Sequence, residues 1–98
     1  MSTPAIDTDK VIEICRQNDV SFIGVFGSFA RGESTADSDI DLLVRFSEMK
    51  SLLDLVRIER EFSEALGRKV DLLTEASISP YLRDEIKREL KVIYEESG

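Results

Sequence analysis

Apolar positions recur along the chain with two alternating periods, and the order of these periods predicts the secondary structure. Spacings of three and four residues, typical of amphipathic helices, are found over 8–18, 52–66 and 80–90. Short apolar or alternating runs, typical of β-strands, are found at 22–26, 39–46, 69–73 and 92–94. A short helix or turn is expected over 28–32. This order predicts an α/β domain with a small mixed sheet of about four strands flanked by helices.

Residues that start and stop helices stand at the ends of the helical segments. Asp7 or Thr8 can cap the first helix, and Ser79 followed by Pro80 is a typical helix start. Gly67 is a typical stop at the end of the segment 52–66. The caps therefore agree with the boundaries that the apolar period predicts.

The first two strands differ in the polarity of their faces. Residues 22–26 are apolar on both faces, as in a central strand that is covered on each side. In residues 39–46, Asp39 and Asp41 lie on one face because side chains alternate along a strand. The other face carries the apolar residues that we expect in the core: Ile40, Leu42 and Val44. This strand therefore has a core side and a carboxylate side.

Composition narrows the chemistry that the chain can perform. Its 98 residues fit one domain, taken as residues 1–98. The formal net charge of −7 argues against a stand-alone nucleic-acid binder. The absence of histidine excludes a histidine general base and a histidine-ligated metal within the chain. The lone Cys15 excludes an internal disulfide and a cysteine-ligated zinc site, and its helical register predicts a buried apolar residue. The chemistry that composition leaves possible is that of carboxylates acting together with hard metal ions.

Targeting signals are not recognisable in the sequence. The first ten residues are polar, and the apolar stretch at 22–26 is far too short to span a bilayer. We therefore expect a soluble, cytoplasmic protein that does not bind a membrane.

One segment combines a glycine–serine turn with two carboxylates at a defined spacing. Gly27 and Ser28 end a strand, ten residues follow, and Asp39 and Asp41 begin the next strand. The N–H groups and hydroxyl of such a turn can hold an anion, and glycine lets the backbone approach a phosphate closely. Two carboxylates on one strand face can share Mg²⁺, and a third, Asp71, can hold a second metal or accept a proton. The pattern predicts a site for phosphoryl transfer.

This arrangement resembles the nucleotidyltransferase superfamily related to DNA polymerase beta, and within it the minimal nucleotidyltransferases, often encoded as MntA-type antitoxins beside a HEPN toxin. The pattern of that family falls here on Gly27, Ser28, Asp39, Asp41 and Asp71. The resemblance implies a polymerase beta-like nucleotidyltransferase fold. It also implies that the three aspartates are the catalytic and metal-binding residues, and that Gly27 and Ser28 bind the nucleotide phosphates.

Two charged residues beside the turn have alternative interpretations. Arg31 is the cation nearest to the Gly-Ser turn, so we assign it to the outer phosphates of the nucleotide rather than to a solvated helix surface. Glu33 either orients Arg31 or a metal-bound water, or it is an exposed surface acid.

A calcium-binding loop is the main rival interpretation of the aspartate cluster. Asp37, Asp39, Asp41 and Glu48 match its ligand positions. Leu42, however, stands where such a loop needs glycine for its sharp turn. The calcium-loop reading is therefore disfavoured.

The resemblance implies a Mg²⁺-dependent enzyme, with Mn²⁺ as a substitute, that transfers AMP from ATP to a hydroxyl. The implied acceptor is a tyrosine of a HEPN-type toxin, so that the chain acts as the antitoxin of a heteromeric complex. Two alternatives stay open. The chain can neutralise a ribonuclease toxin by binding alone, with its acidic surface covering a basic face. It can also transfer the nucleotide to a small molecule, although that reaction usually needs a further domain.

Overall fold

Helices and strands alternate along the chain in the order that the apolar pattern predicts. The structure is a computed structural model and describes residues 6–35 and 37–96. Its elements are α1 (Thr8–Gln17), β1 (Val20–Phe26), α2 (Ser28–Arg31), β2 (Ile40–Phe46), α3 (Leu52–Leu66), β3 (Val70–Thr74), a 3₁₀ turn (Glu75–Ser77), α4 (Pro80–Glu89) and β4 (Lys91–Glu95). None of the helices in this part of the chain is both long enough and apolar enough to cross a membrane.

The predicted capping residues define the helix ends. The Asp7 carboxylate accepts a hydrogen bond from the N–H of Lys10 at 3.3 Å, and the side chain of Ser79 caps α4 with Pro80 at its start. Gly67 ends α3 in the left-handed conformation, with φ at 69°. The choice between Asp7 and Thr8 is thereby decided, since Thr8 is the first residue of α1.

The four strands form one mixed sheet in the order β3-β2-β1-β4. β1 is antiparallel to β2 and to β4, whereas β2 and β3 are parallel. The parallel pair requires a crossover, which α3 provides. The prediction of a small mixed sheet flanked by helices is confirmed.

The sheet has two unlike faces, which we call the helix-covered face and the open face. The helix-covered face packs against α1 and α3 and holds the larger cluster of buried residues, with Ile23, Leu42, Val44, Ile58 and Phe62 among its members. The open face is covered only in part, by α4 and the segment before it. Its smaller cluster consists of Phe26, Leu43, Ile78 and Ile86.

The apolar stripe of α3 is not buried along its whole length. Leu52 and Val56, which recur at helical spacing, are 80% and 55% exposed, whereas Phe62 is fully buried. Leu52 and Val56 instead line an open apolar groove between α3 and β3, the edge strand of the sheet. The helical period therefore predicted the helix correctly but not the extent of its covered face.

The outer edge of β3 is closed by side chains. The N–H of Val70 donates to Ser63 Oγ at 3.0 Å, and the N–H of Leu72 donates to Glu59 Oε2 at 2.9 Å. The N–H of Thr74 donates to Ser77 Oγ at 3.1 Å. These bonds occupy donors that an added strand would otherwise use, so this edge is protected against strand pairing with another chain.

Candidate active site

The turn after β1 brings the backbone against a carboxylate. Gly27 has a φ of 74°, in the left-handed region. A Cβ atom at this position would collide with Oδ2 of Asp41. Glycine is therefore needed here both for the backbone conformation and for the close approach of Asp41. α2 follows at once, and the N–H of Glu33 donates to the carbonyl of Ser28 at 2.9 Å.

Sheet register places two of the predicted carboxylates side by side. Asp41 is the direct partner of Asp71 across the parallel pair β2–β3, and of Phe26 across the antiparallel pair β1–β2. Neighbouring partners in a sheet point to the same face, so both carboxylates lie on the open face, at the end of β1 where Gly27 follows. Both are partly buried.

The electrostatics of this pair disfavour full ionisation. Burial raises the pKa of Asp41 above its ordinary value, and the charges of Asp71 and Asp39 raise that pKa further. A hydrogen bond with Asp71 acts in the same direction, while the charge of Arg31 opposes it. A cation bound at this position would relieve the repulsion between the carboxylates.

Asp39 lies just before β2 rather than inside it, one residue short of the predicted strand. Its Oδ2 is 3.9 Å from Nζ of Lys69, which precedes β3. Among the described residues, no three acidic or cysteine side chains stand close enough together to form a metal site as they are placed. The structure thus brings Asp41 and Asp71 together, whereas Asp39 acts on Asp41 through its charge and pairs loosely with Lys69.

Arg31 is held by two carboxylates at the end of α2. Its Nε donates to Glu33 Oε1 at 2.9 Å, and its Nη1 donates to Glu89 Oε2 at 2.9 Å. Hydrogen bonds to Glu33 and then to Glu89 raise the pKa of Arg31 above its ordinary value. Glu33 therefore contacts Arg31 directly, while its own side chain remains 65% exposed, so both alternatives for Glu33 stay predictions.

Glu89 is a residue of this region that sequence reasoning missed. Besides Arg31, its carboxylate accepts a hydrogen bond from the N–H of Gly27 at 3.2 Å. Glu89 is far from Gly27 in the sequence, and the two meet because β4 pairs with β1, with Val25 opposite Lys91. The motif spacing carries no signal for this contact.

Two other features lie outside the carboxylate region. Cys15 is fully buried in α1, and burial raises the pKa of its thiol to about 12, so it is the inert apolar residue that its register predicted. An apolar groove of about 270 Å³ lies between α3 and β3, lined by Leu52, Leu55, Val56 and Leu72 among others. None of the predicted site residues lines that groove, so charge and motif rather than concavity identify the site.

Comparison with known proteins adds independent evidence about the family of this chain. The family model described as "Polymerase beta, Nucleotidyltransferase" matches residues 9–98. A candidate protein adenylyltransferase of Methanocaldococcus jannaschii is 51% identical over 80 residues, which are 82% of this chain and 86% of that protein. Protein adenylyltransferase MntA of Thermococcus cleftensis is 43% identical over 68 residues, 69% of each chain.

A solved structure shares the fold over nearly the whole chain. It is a crystal structure of a mutant of the toxin–antitoxin MntA-HpeT, with a TM-score of 0.79 and 25% identity. The match covers 95% of this chain and 76% of that one. The family match, the two relatives and this fold confirm the resemblance seen in the motif, and the chain belongs to the polymerase beta nucleotidyltransferase family.

Proposed function

We propose that this protein is a Mg²⁺-dependent protein adenylyltransferase that transfers AMP from ATP to a tyrosine hydroxyl of a HEPN-type toxin, and so acts as its antitoxin. The observation that carries the proposal is the Asp41–Asp71 pair, set against the Gly27–Ser28 turn by sheet register. We assign one nucleotidyltransferase domain to residues 1–98, acting in the cytoplasm without binding a membrane or a nucleic acid.

The carboxylates fit a hard divalent cation. Their oxygen donors are those that Mg²⁺ and Mn²⁺ prefer, and the raised pKa of Asp41 marks a position where negative charge lacks a counter-ion. The metal would be held by Asp39, Asp41 and Asp71. To reach it, the side chain of Asp39 would have to move away from Lys69. When bound, Mg²⁺ neutralises phosphate charge and polarises the phosphorus centre.

The residues of the chain supply the other requirements of the transfer. The Gly27 N–H, the Ser28 hydroxyl and the Arg31 guanidinium bind the β- and γ-phosphates. The acceptor oxygen forms a bond to the α-phosphorus, and the bond from that phosphorus to the departing pyrophosphate breaks. The acceptor proton passes to the Asp71 carboxylate, which acts as the base in place of the absent histidine.

The identity of the partner rests on the relatives and on charge. The Thermococcus cleftensis relative is named a protein adenylyltransferase, and the similar solved structure is a toxin–antitoxin. The net charge of −7 suits a partner with a basic surface. The same charge favours one second candidate, in which the chain neutralises the toxin by binding alone.

Radiolabel transfer separates the two functions. The purified protein is incubated with α-labelled ATP, Mg²⁺ and the toxin encoded beside it. We expect label on the toxin, lost by at least about a hundredfold in the double variant Asp39→Asn/Asp41→Asn. The matched control is Asp37→Asn, an exposed aspartate of the same segment, which leaves transfer unchanged. If the segment were a calcium-binding loop, Asp37 would be a ligand as well, and Asp37→Asn would weaken metal binding as much as Asp39→Asn and Asp41→Asn do.

The outcome also tests the acceptor and the role of catalysis. Mass spectrometry of the labelled toxin is expected to place AMP on a tyrosine, and its replacement by phenylalanine abolishes labelling. If the wild type transfers no label while the double variant neutralises the toxin fully, the protein is a binding antitoxin and the enzyme proposal is wrong. Label on a small molecule instead of the toxin would contradict the proposed acceptor.

A further inference from the structure

The carboxylate of Glu89 accepts hydrogen bonds from two donors in the segment 27–31. Its Oε1 accepts from the N–H of Gly27 at 3.2 Å, and its Oε2 accepts from Nη1 of Arg31 at 2.9 Å. Glu89 is the last residue of α4, and its side chain is only 21% exposed. The contact therefore joins the end of α4 to the turn after β1.

These two donors are among those that the proposed function gives to the triphosphate of ATP. A carboxylate and a phosphate are both oxyanions, and both accept charge-assisted hydrogen bonds from N–H groups and guanidinium. Glu89 thus makes, within the chain, the kind of contacts expected of a phosphate oxygen pair. A backbone N–H has one proton to donate, so Gly27 cannot bond Glu89 and a phosphate equally well at the same time.

The charge around Arg31 points in the same direction. Glu33 Oε1 accepts from Nε of Arg31 at 2.9 Å, so two carboxylates surround one guanidinium. The three groups together carry a net charge of −1, which repels an incoming triphosphate instead of attracting it. Removal of Glu89 from this cluster makes the pair of Arg31 and Glu33 neutral.

We propose that Glu89 occupies the phosphate position of the nucleotide-free site and must release Gly27 and Arg31 when ATP binds. This inference rests on the proposed function, because it concerns the same triphosphate site. Glu89 lowers the affinity for the β- and γ-phosphates, and its return to both donors favours the release of pyrophosphate after transfer. It is a positioning residue that acts through Gly27 and Arg31, not a catalytic one.

The test is nucleotide binding to the variant Glu89→Gln, measured by titration calorimetry with Mg²⁺. We expect the dissociation constants of a non-hydrolysable ATP analogue and of pyrophosphate to fall about three- to tenfold. The dissociation constant of AMP, which lacks the outer phosphates, stays unchanged. A merely structural role of Glu89 would weaken all three ligands alike. Glu89→Ala removes the carboxylate entirely and is expected to shift binding in the same direction.

Glu85→Gln is the matched control because Glu85 is exposed on the same helix, one turn before Glu89. It removes the same charge but not the two hydrogen bonds, so its affinities should equal those of the wild type. Far-ultraviolet circular dichroism and melting curves confirm that each variant compared is folded.

Two results would overturn the inference. If the wild type binds the ATP analogue and Glu89→Gln binds it no more tightly, or more weakly, Glu89 supports the phosphate donors rather than competing for them. The proposed function then stands and only the inference fails. If wild type and variants alike bind no ATP analogue with Mg²⁺ at millimolar concentration, the proposed function itself fails and the inference with it.

Discussion

The helix-covered face and the open face are built by the same strands, yet they carry opposite chemistry. In β2, Ile40, Leu42 and Val44 are buried on the helix-covered face. Of the alternate residues on the open face, Asp41 is partly buried, Leu43 is buried and Arg45 is exposed. The helix-covered face therefore supplies most of the buried apolar packing, while the open face also holds the like charges of Asp41 and Asp71, which a fully covered sheet would not tolerate.

The difference in cover explains why the charges collect where they do. A carboxylate with solvent on one side retains part of its hydration. The pKa of Asp41 is therefore raised by partial burial and by the charges of Asp71 and Asp39, without the full desolvation penalty of a covered sheet. The larger apolar cluster on the other face offsets this cost. A site of this kind needs a stable layer behind it, and the sheet provides that layer within a single small domain.

The largest expected effect on the free energy of unfolding comes from truncating one core side chain on each face of the sheet. Ile58 in α3 is fully buried under the helix-covered face, and Ile86 in α4 is 7% exposed on the open face. We expect Ile58→Ala to lower the free energy of unfolding by about 3–5 kcal/mol and Ile86→Ala by about 2 kcal/mol. The matched side chains isolate the contribution of each layer, measured by urea unfolding. Equal losses would show that the two faces support the fold equally.

A smaller effect on stability is expected from substitutions in the turn after β1, next to the open face. Gly27 and Gly32 both have positive φ, near 74° and 73°, but only at Gly27 would a Cβ atom meet a neighbour, the Asp41 carboxylate. We expect Gly32→Ala to cost about 1 kcal/mol through backbone strain alone. Gly27→Ala costs more and also displaces Asp41, so transfer activity falls while Gly32→Ala retains it.

Denaturant unfolding and label transfer, performed on both glycine variants, check this expectation. Equal stabilities and equal activities of the two variants would mean that Asp41 moves aside without consequence. In that case the close approach of the carboxylate to the turn is not required.

The smallest effect concerns the charge of Asp41 in the metal-free protein. A folded-state pKa raised above the unfolded value means that Asp41 contributes stability at low pH and loses it as the pH rises through the folded pKa. At neutral pH, Asp41→Asn should therefore raise the melting temperature, by about 2–4 °C once solvent screening of this half-exposed group is considered. The gain should vanish near about pH 3, where the carboxyl group is protonated in both states.

Melting curves with a chelator present, recorded for the wild type and Asp41→Asn across this range, check the sign. Asp54 and Glu75 have lowered pKa values, from hydrogen bonds with Ser51 and with Arg45, and they titrate in both proteins. Their contributions cancel in the difference. A melting temperature that falls in Asp41→Asn at neutral pH would contradict the assigned repulsion.

Much of the site could be predicted because it is encoded by local spacing. The turn at Gly27 and Ser28 and the alternation that puts Asp41 opposite the core follow from residues close in sequence. The placement of Asp71 beside Asp41 was predicted through the family motif, and the parallel register of β2 and β3 places it there. The metal-binding and catalytic roles of Asp39, Asp41 and Asp71 remain predictions.

Other parts of the molecule depended on contacts between distant segments. The helical period of α3 does not show that Leu52 and Val56 stay exposed in a groove beside β3, the edge strand of the sheet. The contact of Lys69 with Asp39 depends on how the starts of two strands align. These features needed the strand order, and strand order is a property of the assembled sheet.

The sequence by itself determined the order of helices and strands, the capped helix ends and the spacing between the glycine–serine turn and the aspartates. These are decided by backbone preferences and side-chain periods that act over a few residues. Only the tertiary structure decided which face of the sheet stays open, and that Glu89 lies against Gly27 and Arg31. The pairing of β4 with β1 makes that contact, and pairing between remote strands is selected by the packing of the whole core.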